Sequence, residues 1–195
     1  MLPLTPQQRD AARRDAFARA PDAADWLFAY GSMLRDPPFA AVERRVATLR
    51  GWRRAFSLSD PVQRGTAERP GLVLALEPGD PCGGLVYRVA DPDAFRTVFE
   101  REMLFAWYHP RWLRLETDAG PVEALAFVAR PGHPLHAPGL DDDAVAARIA
   151  SARGEAGTNA AYLDEAADAL RALGIADPRL DDLQRRVRGL TEAQK

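Results

Sequence analysis

The sequence holds one cysteine, Cys82, and 3 histidines in 195 residues. A single thiol makes no internal disulfide and no Cys-rich zinc site, and it fits a reducing compartment. Cys82 has no C-x-x-C partner, which argues against a catalytic thiol. His133 and His136 sit in the Pro/Gly-rich stretch PGHPLHAPG without a carboxylate or third ligand beside them, so they read as loop residues, and His109 reads as structural or peripheral. No apolar run approaches the roughly 20 residues of a membrane-crossing helix. The opening MLPLTPQQRD lacks a basic stretch followed by an apolar core, so a cytoplasmic chain without a membrane partner is expected. Charge of one sign is lacking too. Lys and Arg total 26 against 28 Asp and Glu, a net −2, which leaves no electrostatic footprint for nucleic acid. Walker A, G-x-G-x-x-G and G-x-S-x-G motifs are absent.

What is present is ordinary globular material: 47% hydrophobic and 28% charged residues, enough for a core. The length suits a single domain over 1–195, with 1–24 as an N-terminal helical extension. Its 16 prolines and 14 glycines are spread out as punctuation between short elements.

Thr5-Pro6-Gln7-Gln8 carries a capping-box pattern for a polar surface helix reaching about Ala18. Trp26–Tyr30 reads as a buried strand ending at Gly31-Ser32. Arg45–Arg50 and Arg53–Leu58, split by Gly51-Trp52, read as two strands or one bent strand. Leu72–Leu76, Gly84–Val89, Trp112–Glu116 and Val122–Ala129 complete the strand set, the last two joined by a hairpin-like loop. The final third is helical. Helices are expected over Asp141–Ala152, over Thr158–Leu173 stopping at Gly174, and after Asp177-Pro178 with Leu180, Leu183, Val187 and Leu190 in one stripe. This order predicts an α+β fold: a mostly antiparallel sheet or small barrel flanked by helices.

One carboxylate stands out. A helix capped by Asp91, with Pro92 at its first position, places Phe95, Val98, Phe99 and Ala106 on an apolar stripe, and Glu102 falls in the middle of it. Arg96, Glu100 and Arg101 are expected to point elsewhere. A carboxylate on a core-facing stripe costs free energy unless it is paired or protonated, and burial raises its pKa. A raised pKa suits general acid–base work near neutrality. The plainer alternative is a glutamate near the helix end that reaches solvent or pairs with an arginine. Tyr30-Gly31-Ser32 closes a buried strand with a glycine that permits close approach of a ligand. Successive N–H groups there can hold a carboxylate or oxyanion, although an ordinary strand-to-turn junction has the same signature. Arg64, in Arg64-Gly65-Thr66, can clamp a substrate carboxylate or brace its loop.

Five blocks, in order, resemble the ChaC-type γ-glutamylcyclotransferases: LFAYGSML (Leu27–Leu34), RVATLRGWRRAFSL (Arg45–Leu58), RGTAERPGLVLAL (Arg64–Leu76), EREM (Glu100–Met103) and TNAAYLDEAADALRALGIADPRLDDLQRRV (Thr158–Val187). The resemblance spans about Trp26 to Leu190. It implies a small mixed β-barrel with flanking helices. It also implies cleavage of a γ-glutamyl amide, typically glutathione, to 5-oxoproline and the freed amine, without metal or cofactor. Carried over by position, Glu102 is the acid–base. Tyr30, Gly31, Ser32, Met33, Leu34 and Arg35 form the loop around the γ-glutamyl group, Tyr162 lines the site, and Arg64 is a further site residue. The attacking amine belongs to the substrate, so no catalytic Ser or Cys is required. Two departures, Met33-Leu34-Arg35 and Met103–Tyr108, leave open a cyclotransferase for other γ-glutamyl amino acids or amines. A non-catalytic binding protein on the same fold is the alternative from a different class.

Overall fold

The computed structural model describes residues 3–91 and 93–193. The chain forms two compact units, Met1–Arg54 with Leu76–Pro131, and Ala55–Ala75 with Gly132–Lys195. Strands β3 (Trp52–Asp60) and β4 (Gly71–Pro78) each begin in one unit and end in the other.

The first unit is built on a ring of five strands: β1 (Trp26–Ala29), β5 (Cys82–Val89), β2 (Ala41–Leu49), β6 (Tyr108–Thr117) and β7 (Val122–Ala129). The β1–β5, β5–β2, β2–β6 and β6–β7 pairings are antiparallel, and a parallel pairing at Leu27↔Leu125 joins β7 back to β1 and closes the barrel. β4 adds to β7 in parallel at Leu76↔Val128, and β3 follows β4 in strand order. The α+β barrel expected from the sequence is therefore present. A strand inside a closed barrel touches core or neighbours on both faces, which is why all four residues of β1 are buried and why WLFA carries no polar alternation. Gly84 is required where β5 meets β1. A Cβ there would lie 2.3 Å from the Ala29 carbonyl oxygen and 2.7 Å from the Phe28 ring.

The segments on either side of Gly51 are two strands, and they take different neighbours: β5 and β6 flank β2, whereas β4 flanks β3. Gly51, at φ 77°, makes the turn between them.

Helix α1 (Pro6–Phe17) has the anticipated capping box, with Gln8 N–H donating to Thr5 Oγ1 and Thr5 N–H to Gln8 Oε1. The helix is docked by its C-terminal end. Phe17 packs edge-on against Phe95 and Trp112, and Trp112 Nε1 donates to the Ala16 carbonyl. Helix α2 (Ala94–Glu102) starts later than its sequence pattern indicates. Asp93 stands at the cap position, while the Asp91 carboxylate accepts from Asp93 N–H in the turn before it; the expected Pro92 position lies outside the described residues. The stripe Phe95, Val98 and Phe99 is buried as expected, but it does not continue to Ala106, which lies beyond the helix at φ 56°.

The second unit holds α3 (Asp142–Ser151), α4 (Asn159–Ala172) and α5 (Pro178–Glu192), each with its N-cap side chain bonded: Asp141 to Ala144 N–H, Thr158 to Ala161 N–H and Asp177 to Leu180 N–H. Leu180 and Val187 of the α5 stripe are buried, but Leu190 is exposed, so the apolar contact ends a turn earlier than the pattern. A two-residue hairpin, β8 (Arg153–Gly154) with β9 (Gly157–Thr158), precedes α4 and is too short to leave a periodic signal.

Candidate active site

Strand β1 ends at Ala29, and Tyr30-Gly31 turns the chain into a single 3-10 turn over Ser32–Leu34. Gly31, at φ −134° and ψ −131°, makes the exit from the strand. Leu34 N–H returns to the Gly31 carbonyl, and the N–H groups of Ser32 and Met33 precede that bond at the start of the turn. Four side chains hold this segment. The Tyr30 hydroxyl donates to the Phe127 carbonyl at 2.6 Å, inside the barrel. Arg54, buried on β3, donates from Nε to the Tyr30 carbonyl at 2.6 Å and from its terminus to the Gly83 carbonyl. The Tyr87 hydroxyl lies 3.2 Å from both the Met33 and Leu34 carbonyls. Arg101 Nη2 donates to Ser32 Oγ at 2.8 Å, and its Nη1 to the Asp36 carbonyl at 3.2 Å. The Met33 and Leu34 side chains are buried, whereas Ser32 and Arg35 are exposed. The Ser32 side chain is therefore the exposed polar group at the start of the turn.

Glu102 is the last residue of α2, and its side chain is 14% exposed. The helix end is closed by aromatic rings. Trp107 Nε1 donates to the Glu102 carbonyl at 3.1 Å, and Trp107 packs on Phe105 and Tyr108. Tyr108 and Phe99 both pack on Phe127, whose carbonyl holds Tyr30. Removing water from the carboxylate penalises its charged form, so burial raises the Glu102 pKa above the ordinary range. The Arg101 guanidinium, with Nε 3.4 Å from Glu102 Oε1, opposes that shift. Arg101 is exposed, off the apolar stripe as helical spacing predicts. Its long side chain bridges the Glu102 carboxylate to the Ser32 turn. A carboxylate of raised pKa can take up and return a proton, and N–H groups at the start of a turn are of the kind that stabilise a developing oxyanion.

Arg64 and Tyr162 lie together in the second unit. The Arg64 guanidinium sits 5.0 Å from the Tyr162 ring centre. It also donates to the Ala156 carbonyl at 2.9 Å and the Thr158 carbonyl at 3.4 Å, and pairs with Glu165 at 3.4 Å. These bonds are the loop brace that the sequence left open as one role for Arg64. The Tyr162 hydroxyl accepts from Leu74 N–H at 3.5 Å, and its ring meets Phe56 edge-on.

Three buried polar residues escaped the sequence reading. Asp60 accepts from the N–H groups of Val62, Gln63 and Arg64 at 2.9–3.0 Å, which shapes the start of the Arg64 loop. Asn159 bonds both backbone groups of Leu72. Arg54 carried a usable signal: it shares the inward register of Phe56 and Leu58, so its charge was out of place there in the same sense as that of Glu102. Among the described residues, no cluster of three His, Cys, Asp or Glu side chains could hold a metal ion. No described helix is long and apolar enough to cross a membrane.

A family model described as ChaC-like protein matches residues 25–190. The chain is 37% identical over 182 residues to the glutathione-specific γ-glutamylcyclotransferase of Escherichia coli, with 91% of this chain and 79% of that protein covered. It is 32% identical over 157 residues to human glutathione-specific γ-glutamylcyclotransferase 1, covering 76% of this chain and 71% of that protein. A crystal structure of a yeast γ-glutamyl cyclotransferase specific to glutathione superposes with a TM-score of 0.77 at 19% identity, over 86% of this chain and 97% of that one. That last likeness is one of fold.

Proposed function

This chain belongs to the ChaC-like protein family, and on that premise we propose that it is a γ-glutamylcyclotransferase that cleaves glutathione to 5-oxoproline and cysteinylglycine, with Glu102 as acid–base. The observation that carries the reading is the Glu102 carboxylate, largely withdrawn from water, raised in pKa and bridged by Arg101 to the Tyr30–Arg35 turn.

In this reaction the enzyme supplies no nucleophile. The γ-glutamyl group lies along the turn, where N–H groups at the start of the Ser32–Leu34 helix receive its charged or developing negative oxygens. Glu102, as carboxylate, accepts a proton from the substrate α-ammonium. The freed amine attacks the γ-carbonyl of the same residue and closes a five-membered ring. Holding the chain folded for that attack supplies a large part of the rate, since well-oriented intramolecular reactions reach effective molarities of about 10⁵ M or more. The γ-amide C–N bond then breaks as Glu102 returns its proton to the leaving amine, while the ring nitrogen gives up its second proton to solvent, from which the freed amine takes its last. One residue serves as base and then acid, and a pKa above the ordinary carboxylate range makes it competent for both. Within the second unit, the Arg64 guanidinium holds the Tyr162 ring.

Met33, Leu34 and Met103 are buried while Arg35 is exposed, and the relatives of 37% and 32% identity named glutathione-specific favour glutathione over other γ-glutamyl compounds. The purified protein is expected to release 5-oxoproline from glutathione with a higher kcat/KM than from γ-glutamyl-alanine. A reversed ratio selects the broader cyclotransferase reading. Binding of γ-glutamyl compounds without product selects the non-catalytic one.

A further inference from the structure

The Arg101 guanidinium is divided between two partners that the chemistry must coordinate. Its Nη groups hold Ser32 Oγ and the Asp36 carbonyl, on the turn, while its Nε stands 3.4 Å from Glu102 Oε1. A surface arginine with this many partners on two elements is fixed rather than mobile, and its planar fork sets the distance between the turn and the carboxylate. We infer that Arg101 is the positioning residue of this site, tying the Glu102 carboxylate to the Ser32 turn. The inference rests on the reading of Glu102 as acid–base.

The physical argument has two parts. Burial at the end of α2 takes water from Glu102 and favours its neutral form. A glutamate neutral at working pH cannot accept the ammonium proton. The nearest guanidinium counters this, and among the described residues Arg101 is the charged group that acts on Glu102. The other charged groups around α2 are placed differently. Arg35 and Asp36 are exposed on the turn, and Arg9, Asp10 and Arg13 of α1 line a separate shallow cleft with Arg96 and Glu100. The second part is geometric. When substrate fills the turn, the hydrogen bonds to Ser32 and Asp36 keep Arg101 from following it, so the carboxylate stays aimed at the substrate amine.

The test is a titration of the Glu102 side-chain carboxyl by ¹³C NMR in the wild type, Arg101→Met and Arg101→Lys, beside the pH profile of 5-oxoproline release from glutathione. Loss of an opposite charge at this distance raises the Glu102 midpoint by about one pH unit or more in Arg101→Met. The acidic limb of kcat/KM moves up by the same amount, so activity falls about tenfold on that limb and recovers toward alkaline pH. Arg101→Lys keeps the charge and restores the midpoint, but it loses the forked bonds to the turn and raises KM. Where Arg101→Met does not fold, Arg101→Gln, which keeps a donor for Ser32, gives the same titration. An unmoved midpoint, or an activity loss equal at every pH, overturns the inference. If Glu102→Gln remains fully active while Arg101→Met still moves the titration, the acid–base reading falls and the Arg101–Glu102 linkage stands.

Discussion

Replacing Asn159 with alanine is expected to remove a large share of the protein's stability without touching a proposed catalytic atom. Asn159 is fully buried at the first turn of α4. Its Oδ1 accepts from Leu72 N–H at 2.6 Å and its Nδ2 donates to the Leu72 carbonyl at 2.7 Å, so its amide completes β4 as a neighbouring strand would. Leu72 is itself fully buried. Alanine leaves two backbone groups without partners, at about 1–3 kcal/mol each. The sum is about 2–6 kcal/mol, against a whole-domain stability of about 5–15 kcal/mol. Urea unfolding followed by fluorescence of the 4 tryptophans measures it. The midpoint is expected to fall with an unchanged slope, which marks lost stability rather than a more compact denatured state. Asn159→Asp sharpens the test. It keeps the acceptor for Leu72 N–H, but when ionised it has no proton for the Leu72 carbonyl and buries a charge. Burial raises its folded pKa above the unfolded value of about 3.9, so that variant is expected to be closest to wild type in acid and to lose stability as pH rises. An alanine variant within about 0.5 kcal/mol of wild type would refute the reasoning.

Two further outcomes follow from the barrel unit. Gly84→Ala is expected to loosen the β1–β5 pairing and cost about 1–3 kcal/mol or more, because a Cβ there meets the Ala29 carbonyl oxygen at 2.3 Å and a backbone atom cannot swing aside; thermal unfolding measures the loss, and an unchanged Tm would contradict the packing described for Gly84. Glu102→Gln is expected to be more stable than wild type at neutral pH. The folded pKa of Glu102 is raised, so the stability tied to its neutral form is full below the unfolded pKa of about 4.3 and is lost as pH rises through the folded value. The glutamine stays neutral throughout, so the gain should vanish in acid, and a gain independent of pH would show that ionisation is not its source.

Much of this was legible because local signals agreed with the final fold. The Thr5 capping box, the bounds of β7 at Val122–Ala129 and the Asp177 cap are local chemistry, and the structure keeps each of them, with α3 and α4 starting one residue after the Asp141 and Thr158 that the sequence offered as their first residues. Glu102 stood out because a carboxylate on the stripe of Phe95, Val98 and Phe99 needs a reason. What stayed hidden depends on partners distant in sequence. The barrel closes through Leu27↔Leu125, nearly a hundred positions apart, and a buried four-residue strand does not name its neighbour. The Asn159 bond to Leu72 spans 87 positions. Helical spacing places Arg101 off the apolar stripe, but its bonds to Ser32 and Asp36 span more than sixty positions and leave no local signal.

The most direct test of the account is 5-oxoproline release from glutathione by the wild type and by Glu102→Gln, with folding of the variant confirmed by circular dichroism. The amide of glutamine neither accepts the ammonium proton nor returns one, and loss of a general acid–base group typically costs about 10²–10⁴-fold in rate. The account predicts robust release by the wild type and a loss of at least about a hundredfold in kcat for the folded variant. Turnover of Glu102→Gln at the wild-type rate would contradict it.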